Sequence, residues 1–199
     1  MMSPAAFAVR VVPLYALALV LTGVGAIALG GHVPSAWLMP LAILALLAFA
    51  ALMTFRRVRT WPTLLLLALA LIAGVLLRVM LPEILRQWPW ALAASTGIPL
   101  LGIPLGWIAS ARLRSVGWAT WAAAWIYILV WIAWQLLEKG LVMRLYWGVA
   151  GLMAFTALTI TWSASLPGRP PHQAEGSIAS ELYLIGLNLG LAVLIVVGA

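Results

Sequence analysis

Acid–base chemistry in this chain rests on very few groups. Its 199 residues include four acids, Glu83, Glu138, Glu175 and Glu181, two histidines, His32 and His172, and neither aspartate nor cysteine. The absence of cysteine excludes disulfides, thiol nucleophiles and thiolate-bound metals. Glu181, in the run Ser180-Glu181-Leu182-Tyr183, is the acid in the most apolar setting. A carboxylate inside a membrane span is costly and marks a functional site by default, and burial favours its protonated form, which suits proton sensing or transfer. At headgroup depth the same group would simply be solvated, and in a first helical turn it would be welcomed by the helix dipole. Asn188 follows seven residues later and shares its helix face. These two residues are the candidates for an ion or proton pathway.

A second candidate element is the stretch Gly97-Ile98-Pro99-Leu100-Leu101-Gly102-Ile103-Pro104-Leu105-Gly106, in which Gly-Ile-Pro-Leu occurs twice. Each proline removes a backbone hydrogen bond, and the glycines let neighbouring helices approach closely. The sequence therefore predicts a helix break at Gly97, Pro99, Gly102, Pro104 and Gly106. Such a break either lines a pathway, as in transporters, or acts as a packing kink. A third feature is the aromatic series Trp118, Trp121, Trp125, Tyr127, Trp131 and Trp134, which ends in Gln135 and Glu138. Its first members recur at i, i+3 and i+7 and form one stripe. The stripe would stack on a pigment, sterol or quinone, or simply face lipid. Glu138 and Gln135 are expected to pair with Lys139 or Arg144.

Other chemistry does not assemble. The histidines fall on opposite sides of the membrane in the topology below. No His-Glu-x-x-His, Gly-x-Ser-x-Gly or phosphate-loop pattern occurs. No enzyme, cofactor or metal site is expected.

The elements that position these residues are membrane helices. Hydrophobic residues make up 66% of the chain and charged residues 8%, too little polar surface to cover a soluble globule. Apolar runs of about 20 residues match a bilayer core of roughly 30 Å. They are continuous rather than alternating, which favours helices over a barrel. The expected fold is all-α, a polytopic seven-transmembrane bundle forming one integral membrane domain over 1–199, with the last helix near its centre. The spans read 11–29, 34–55, 60–81, 90–109, 118–137, 145–166 and 178–198. The connection Pro167–Ser177 carries three prolines and two glycines and should not continue a helix.

Charge fixes the expected orientation. With the N-terminus inside, the inner side collects Arg10, Arg56, Arg57, Arg59, Arg112, Arg114 and Arg169, and the outer side Arg78, Arg86, Lys139 and Arg144. The inner excess is the positive-inside pattern and places the C-terminus outside. Trp37, Trp61, Trp88, Trp90, Trp107, Trp118 and Trp162 lie near span ends, where indole rings anchor at the headgroups. The net charge of +7 forms no basic stripe, so nucleic acid is not an expected partner. Short loops and the arginine pattern point to a bacterial plasma (inner) membrane.

Three segments carry a resemblance to a known family. The first span, from Arg10 through Pro13, Tyr15 and Thr22 to Ala26, the Leu145-Tyr146-Trp147 opening of the sixth, and Ile178-Ala-Ser-Glu181-Leu-Tyr183-Leu-Ile185-Gly-Leu-Asn188-Leu189 of the seventh resemble the Bax-inhibitor family of seven-span proteins. The matches cover about a third of the chain. The resemblance implies a pH-sensitive calcium or cation leak. That family gates the leak with an aspartate in each of its last two helices. Here those positions fall on Ile185 and within Trp162–Ser165, which hold no acid. Glu181, one turn before Ile185, offers a single displaced carboxylate, and a lone carboxylate cannot form a shared-proton pair. Gating is therefore expected to be altered. The partners in this reading are the lipid bilayer and calcium or protons. The alternatives are an accessory subunit that packs on a membrane-protein partner or holds a soluble factor through Arg56, Arg57, Arg59 and Arg112, and a pigment- or ligand-binding membrane protein.

Overall fold

The computed structural model describes residues 3–55, 60–80, 84–137, 141–169 and 175–197, with the side chains of 53, 84, 111, 114 and 131–144 left out of the description. The described residues contain helices and no strand. The helices are α1 (Pro4–Arg10), α2 (Val12–Val24), α3 (Leu38–Phe55), α4 (Trp61–Met80), α5 (Ile84–Ile108), α6 (Ser110–Leu113), α7 (Gly117–Leu137), α8 (Leu141–Ser165) and α9 (Glu175–Val197). Six helical runs are long and apolar enough to cross a membrane, and α7 contributes a shorter apolar stretch, Gly117–Val130, within its 21 residues. At 1.5 Å per residue α7 is about 31 Å long, enough for a bilayer core. The protein is a helical membrane bundle.

Helix starts follow local chemistry. The Ser3 side chain accepts from the Ala6 N–H at 3.1 Å and Pro4 takes the first position of α1, where its missing N–H has no intrahelical partner to lose. The first crossing is one helical run, Pro4–His32, which widens into a π-turn at Gly25–Leu29, where the Gly30 N–H donates to the Gly25 carbonyl. It begins seven residues before the expected Val11. Likewise α5 begins at Ile84 rather than Trp90, α8 at Leu141 rather than Leu145, and α9 at Glu175 rather than Ile178. Charge does not stop a helix at the interface, because arginine and glutamate reach back to water along their own side chains.

By contacts the chain divides into two compact units. Among the described residues, the first draws on 3–86 and 175–183 and the second on 87–169 and 184–197. In the first unit, glycines zip α2 to α4. A Cβ on Gly74 would strike the backbone of Thr22 and Ala26, one on Gly25 the backbone of Leu71 and Val75, and one on Gly30 the Arg78 side chain. These registers rise together along both helices, so α2 and α4 run parallel and α3 must cross back between them. The start of α9 lies beside the end of α1 and the start of α4. Arg10 pairs with Glu175 at 2.9 Å, and a Cβ on Gly176 would stand 2.7 Å from the Thr63 nitrogen. That packing explains why Gly176 and Ser177 are helical and not part of a connection.

The second unit repeats the pattern. Gly102 faces Thr159 and Gly106 faces Ser163 and Ala164, so α5 and α8 run parallel, with α7 as the return crossing. Thr120 meets Thr161 and Tyr127 meets Trp147, which sets α7 antiparallel to α8. The C-terminal part of α9 is antiparallel to both α5 and α8, through Ser95 with Gly186 and Gly148 with Val196. Within each unit the packed helices have the directions of successive crossings.

Candidate functional site

In the first unit, the buried face of the first crossing recurs at helical spacing through Val11, Tyr15, Ala18, Leu19, Thr22 and Ala26. Thr22 and Tyr183 of α9 bring their hydroxyls to 2.7 Å, both almost fully buried. The Thr22 hydroxyl has one proton, which it donates to the Ala18 carbonyl at 2.9 Å. Tyr183 is therefore the donor between the two. One helical turn earlier, the buried Ser180 hydroxyl donates to the Ser177 carbonyl at 2.7 Å. Glu181 lies between these residues, half-buried, and engages in interactions of its own. Because α9 starts at Glu175, Glu181 is the seventh residue of the helix and not part of its first turn. At 1.5 Å per residue it lies about 9 Å along the axis from the helix start. The dipole alternative weighed for it applies instead to Glu175, which sits in that turn against Arg10.

In the second unit, Asn188 turns back on its own helix, its Nδ2 donating to the Leu184 carbonyl at 2.7 Å. Ser95 of α5 reaches two carbonyls at 2.8 Å, Ala91 on its own helix and Gly186 on α9. Along α7 and α8, Thr120 and Thr161 share a 2.7 Å contact, and the Tyr127 hydroxyl donates to the Trp147 carbonyl at 3.0 Å. Glu181 and Asn188 lie on one helix but belong to different units, and the described contacts bring each to its own surroundings.

The Gly-Pro element is not a break. Helix α5 continues through Pro89, Pro99 and Pro104. Each proline forfeits one backbone bond, but unwinding in hydrocarbon would forfeit several more. Gly102 and Gly106 form a close seam with α8, where the Ser163 hydroxyl also reaches the Gly102 carbonyl at 3.4 Å, while a Cβ on Gly97 would meet open space. Two of the three glycines thus serve packing.

Among the tryptophans, Trp37, Trp61, Trp90 and Trp118 are exposed, as anchors should be. Trp162 is not an anchor: it is 1% exposed, and the Arg169 guanidinium stands 5.5 Å over its ring. Its neighbours Thr161, Ser163, Ala164 and Leu166 are buried too, so this end of α8 packs inward. In the aromatic stripe Trp118 and Trp125 are exposed and Trp121 is half-buried. The expected pairing of Gln135 and Glu138 with Lys139 or Arg144, the arginines 56, 57 and 59, and His172 all lie outside the described residues and side chains. Among the described residues no set of three acidic or histidine side chains could hold a metal ion.

The groups missed in the sequence are Tyr15, Thr22, Ser95 and Tyr183. The one signal for them was the seven-residue spacing of Tyr15 and Thr22, two polar groups on one face of an apolar span. No protein-family model matches the chain, and no curated protein matches it.

Proposed function

We propose that this protein lets a small cation cross the membrane, in the manner implied by its resemblance to the Bax-inhibitor family, with Glu181 as the group that receives the ion. One observation carries this reading. Of the two acids among the described residues, Glu175 opens α9 and Glu181 lies beyond the first turn of that spanning helix. A carboxylate within a membrane span is costly and by default marks a functional site. Asn188, two turns further along the same face, supplies a second polar group on the path. The membrane in this reading is a bacterial plasma membrane with the N-terminus inside, in keeping with the arginine distribution.

The test is ionic conductance in proteoliposomes, read with a voltage-sensitive dye under an imposed salt gradient. Conductance above that of empty vesicles, reduced by Glu181→Gln and weakened by Asn188→Ala, is the expected result. Vesicles as tight as empty ones remove the reading.

A second reading, an accessory subunit of a membrane complex, is favoured by α3. Among its described side chains only Leu52 is buried, while Met39, Ile43, Leu46 and Leu47 are exposed. A stoichiometric partner that co-purifies in mild detergent and crosslinks to α3 would support it over permeation.

A further inference from the structure

We infer that Tyr183 is the positioning residue for Glu181: its hydrogen bond to Thr22 fixes the rotation of α9 about its own axis, and so the direction in which Glu181 is presented. This rests on the permeation reading above and adds the device that holds its site in place.

The acceptor is a fixed point. Thr22 stands on the seam between α2 and α4, where Gly74 has no room for a Cβ beside the Thr22 carbonyl. Its hydroxyl is turned onto the Ala18 carbonyl at 2.9 Å. Tyr183, fully buried, donates to that hydroxyl at 2.7 Å. A phenol that let go of its acceptor in an apolar bundle would find no water to replace it, so the bond holds. Apolar contact attracts without preferring a direction, whereas a hydrogen bond demands one. The close approach of Gly176 to the Pro62–Thr63 backbone sets how near α9 comes to α4, but a glycine has no side chain with which to hold a rotation.

Helix geometry carries the effect to Glu181. Gly176 and Tyr183 are seven residues apart and share one face, turned toward α4 and α2. Successive side chains turn by about 100°. Glu181 comes five residues after the one and two before the other, about 140° and 160° away, on the opposite flank. That flank opens narrowly. Ser177, Ile178, Ser180 and Leu182, which lie to either side of Glu181, are 2% exposed or less, while Glu181 is half-buried. A turn of α9 in either direction therefore carries position 181 out of its window and into packed protein.

The cysteine-free chain lets a single thiol report that position. Glu181→Cys is introduced alone and together with Tyr183→Phe, Thr22→Val or Thr22→Ser, and its reaction with N-ethylmaleimide is timed in proteoliposomes. Because Glu181→Cys is common to every sample, the interactions that Glu181 itself makes drop out of the comparison. A thiol placed by Ala70→Cys on the buried side of α4, unreactive in the same backgrounds, shows that the bundle stays closed. The expected result is a reaction several-fold slower with Tyr183→Phe and with Thr22→Val, and an unchanged rate with Thr22→Ser, which keeps the hydroxyl. An equal or faster rate with either of the first two, or a fall with Thr22→Ser as large as with Thr22→Val, overturns the inference. Conductance supplies the second readout. Tyr183→Phe should reduce the wild-type current and take nothing further from Glu181→Gln, because it acts through that residue. Losses that add overturn the positioning role. Vesicles as tight as empty ones remove the permeation reading, and the thiol rates then decide the orientation of α9 by themselves.

Discussion

Replacing glycine by alanine at three positions of α5 should give three different answers, although two of the sites share the same local sequence, Gly-Ile-Pro-Leu. At Gly97 a Cβ would have nothing within 4 Å. There the substitution brings only the helix-propensity gain, about 0.5–1 kcal/mol. At Gly102 it would meet the Thr159 Cγ2 at 3.0 Å and the Ile160 Cγ1 at 3.5 Å. Both are side-chain ends that can yield a few tenths of an ångström, so gain and crowding nearly cancel. At Gly106 it would collide with the Ser163 hydroxyl and the Ile160 carbonyl and stand 3.0 Å from the Ala164 nitrogen. Two of those three are backbone, so α8 itself must back away. Overpacking of this kind costs about 1–3 kcal/mol, the upper end applying where nothing can rotate aside. After the propensity gain the net loss at Gly106 is about 2 kcal/mol. For a chain of this length about 2–4 °C accompanies each kcal/mol. Gly97→Ala should therefore raise the unfolding midpoint by a few degrees and Gly106→Ala lower it by roughly 4–8 °C, read by tryptophan fluorescence in detergent. Equal shifts at Gly97 and Gly106, or the reverse order, would refute the assignment of Gly102 and Gly106 to a seam and of Gly97 to open space.

Other outcomes follow from the same geometry. Thr22→Val leaves the buried Tyr183 hydroxyl without an acceptor and should cost more than Tyr183→Phe, which leaves Thr22 bonded to Ala18. The pair's coupling in a double-mutant cycle should be about 0.6 kcal/mol, up to about 1.7. Gly190→Ala should destabilise, because its Cβ would lie 2.7 Å from the Ser95 hydroxyl, and adding Ser95→Ala should recover part of the loss, visible as a non-additive shift in midpoint. Arg10→Ala should move the midpoint by no more than about 1 kcal/mol, since that ion pair is 63% and 44% exposed at its two side chains, and the effect should fade in high salt. The proposed seven-crossing topology expects the termini on opposite sides. In this cysteine-free chain, single cysteines at Ser3 and Val197 should react with an impermeant maleimide from opposite faces of sealed vesicles.

The spans were legible because hydrocarbon thickness leaves a plain mark on sequence, a run of about 20 apolar residues. Their ends were not: the expected spans begin at 11 and 90, whereas the helices begin at Pro4 and Ile84 and take in Arg10 and Arg86. Proline and glycine were misread in the opposite direction. Rules learned in water make Pro99 and Pro104 breakers, but a membrane withholds the water that would satisfy an unwound turn. The glycines carry a close approach whose partner, Thr159 to Ala164, lies far along the chain. Trp162 shows the same limit, because an indole near a span end can face headgroups or protein, and only packing tells which. The Thr22–Tyr183 pair joins residues 161 positions apart, and no local pattern could announce it. Glu181 was legible as an exception, a charge where the surroundings are apolar.

The division of α9 has a consequence for how the protein is made. Tyr183 is its last residue in one unit and Leu184 the first in the other. Both units therefore depend on a segment that leaves the ribosome after the helices it completes. Six helices enter the bilayer before Tyr183 can reach Thr22 or Gly186 can reach Ser95, and neither half can close as it emerges. A chain that stops short of residue 175 is then not a smaller working protein but two unfinished ones, and it should be cleared by membrane proteases and not accumulate.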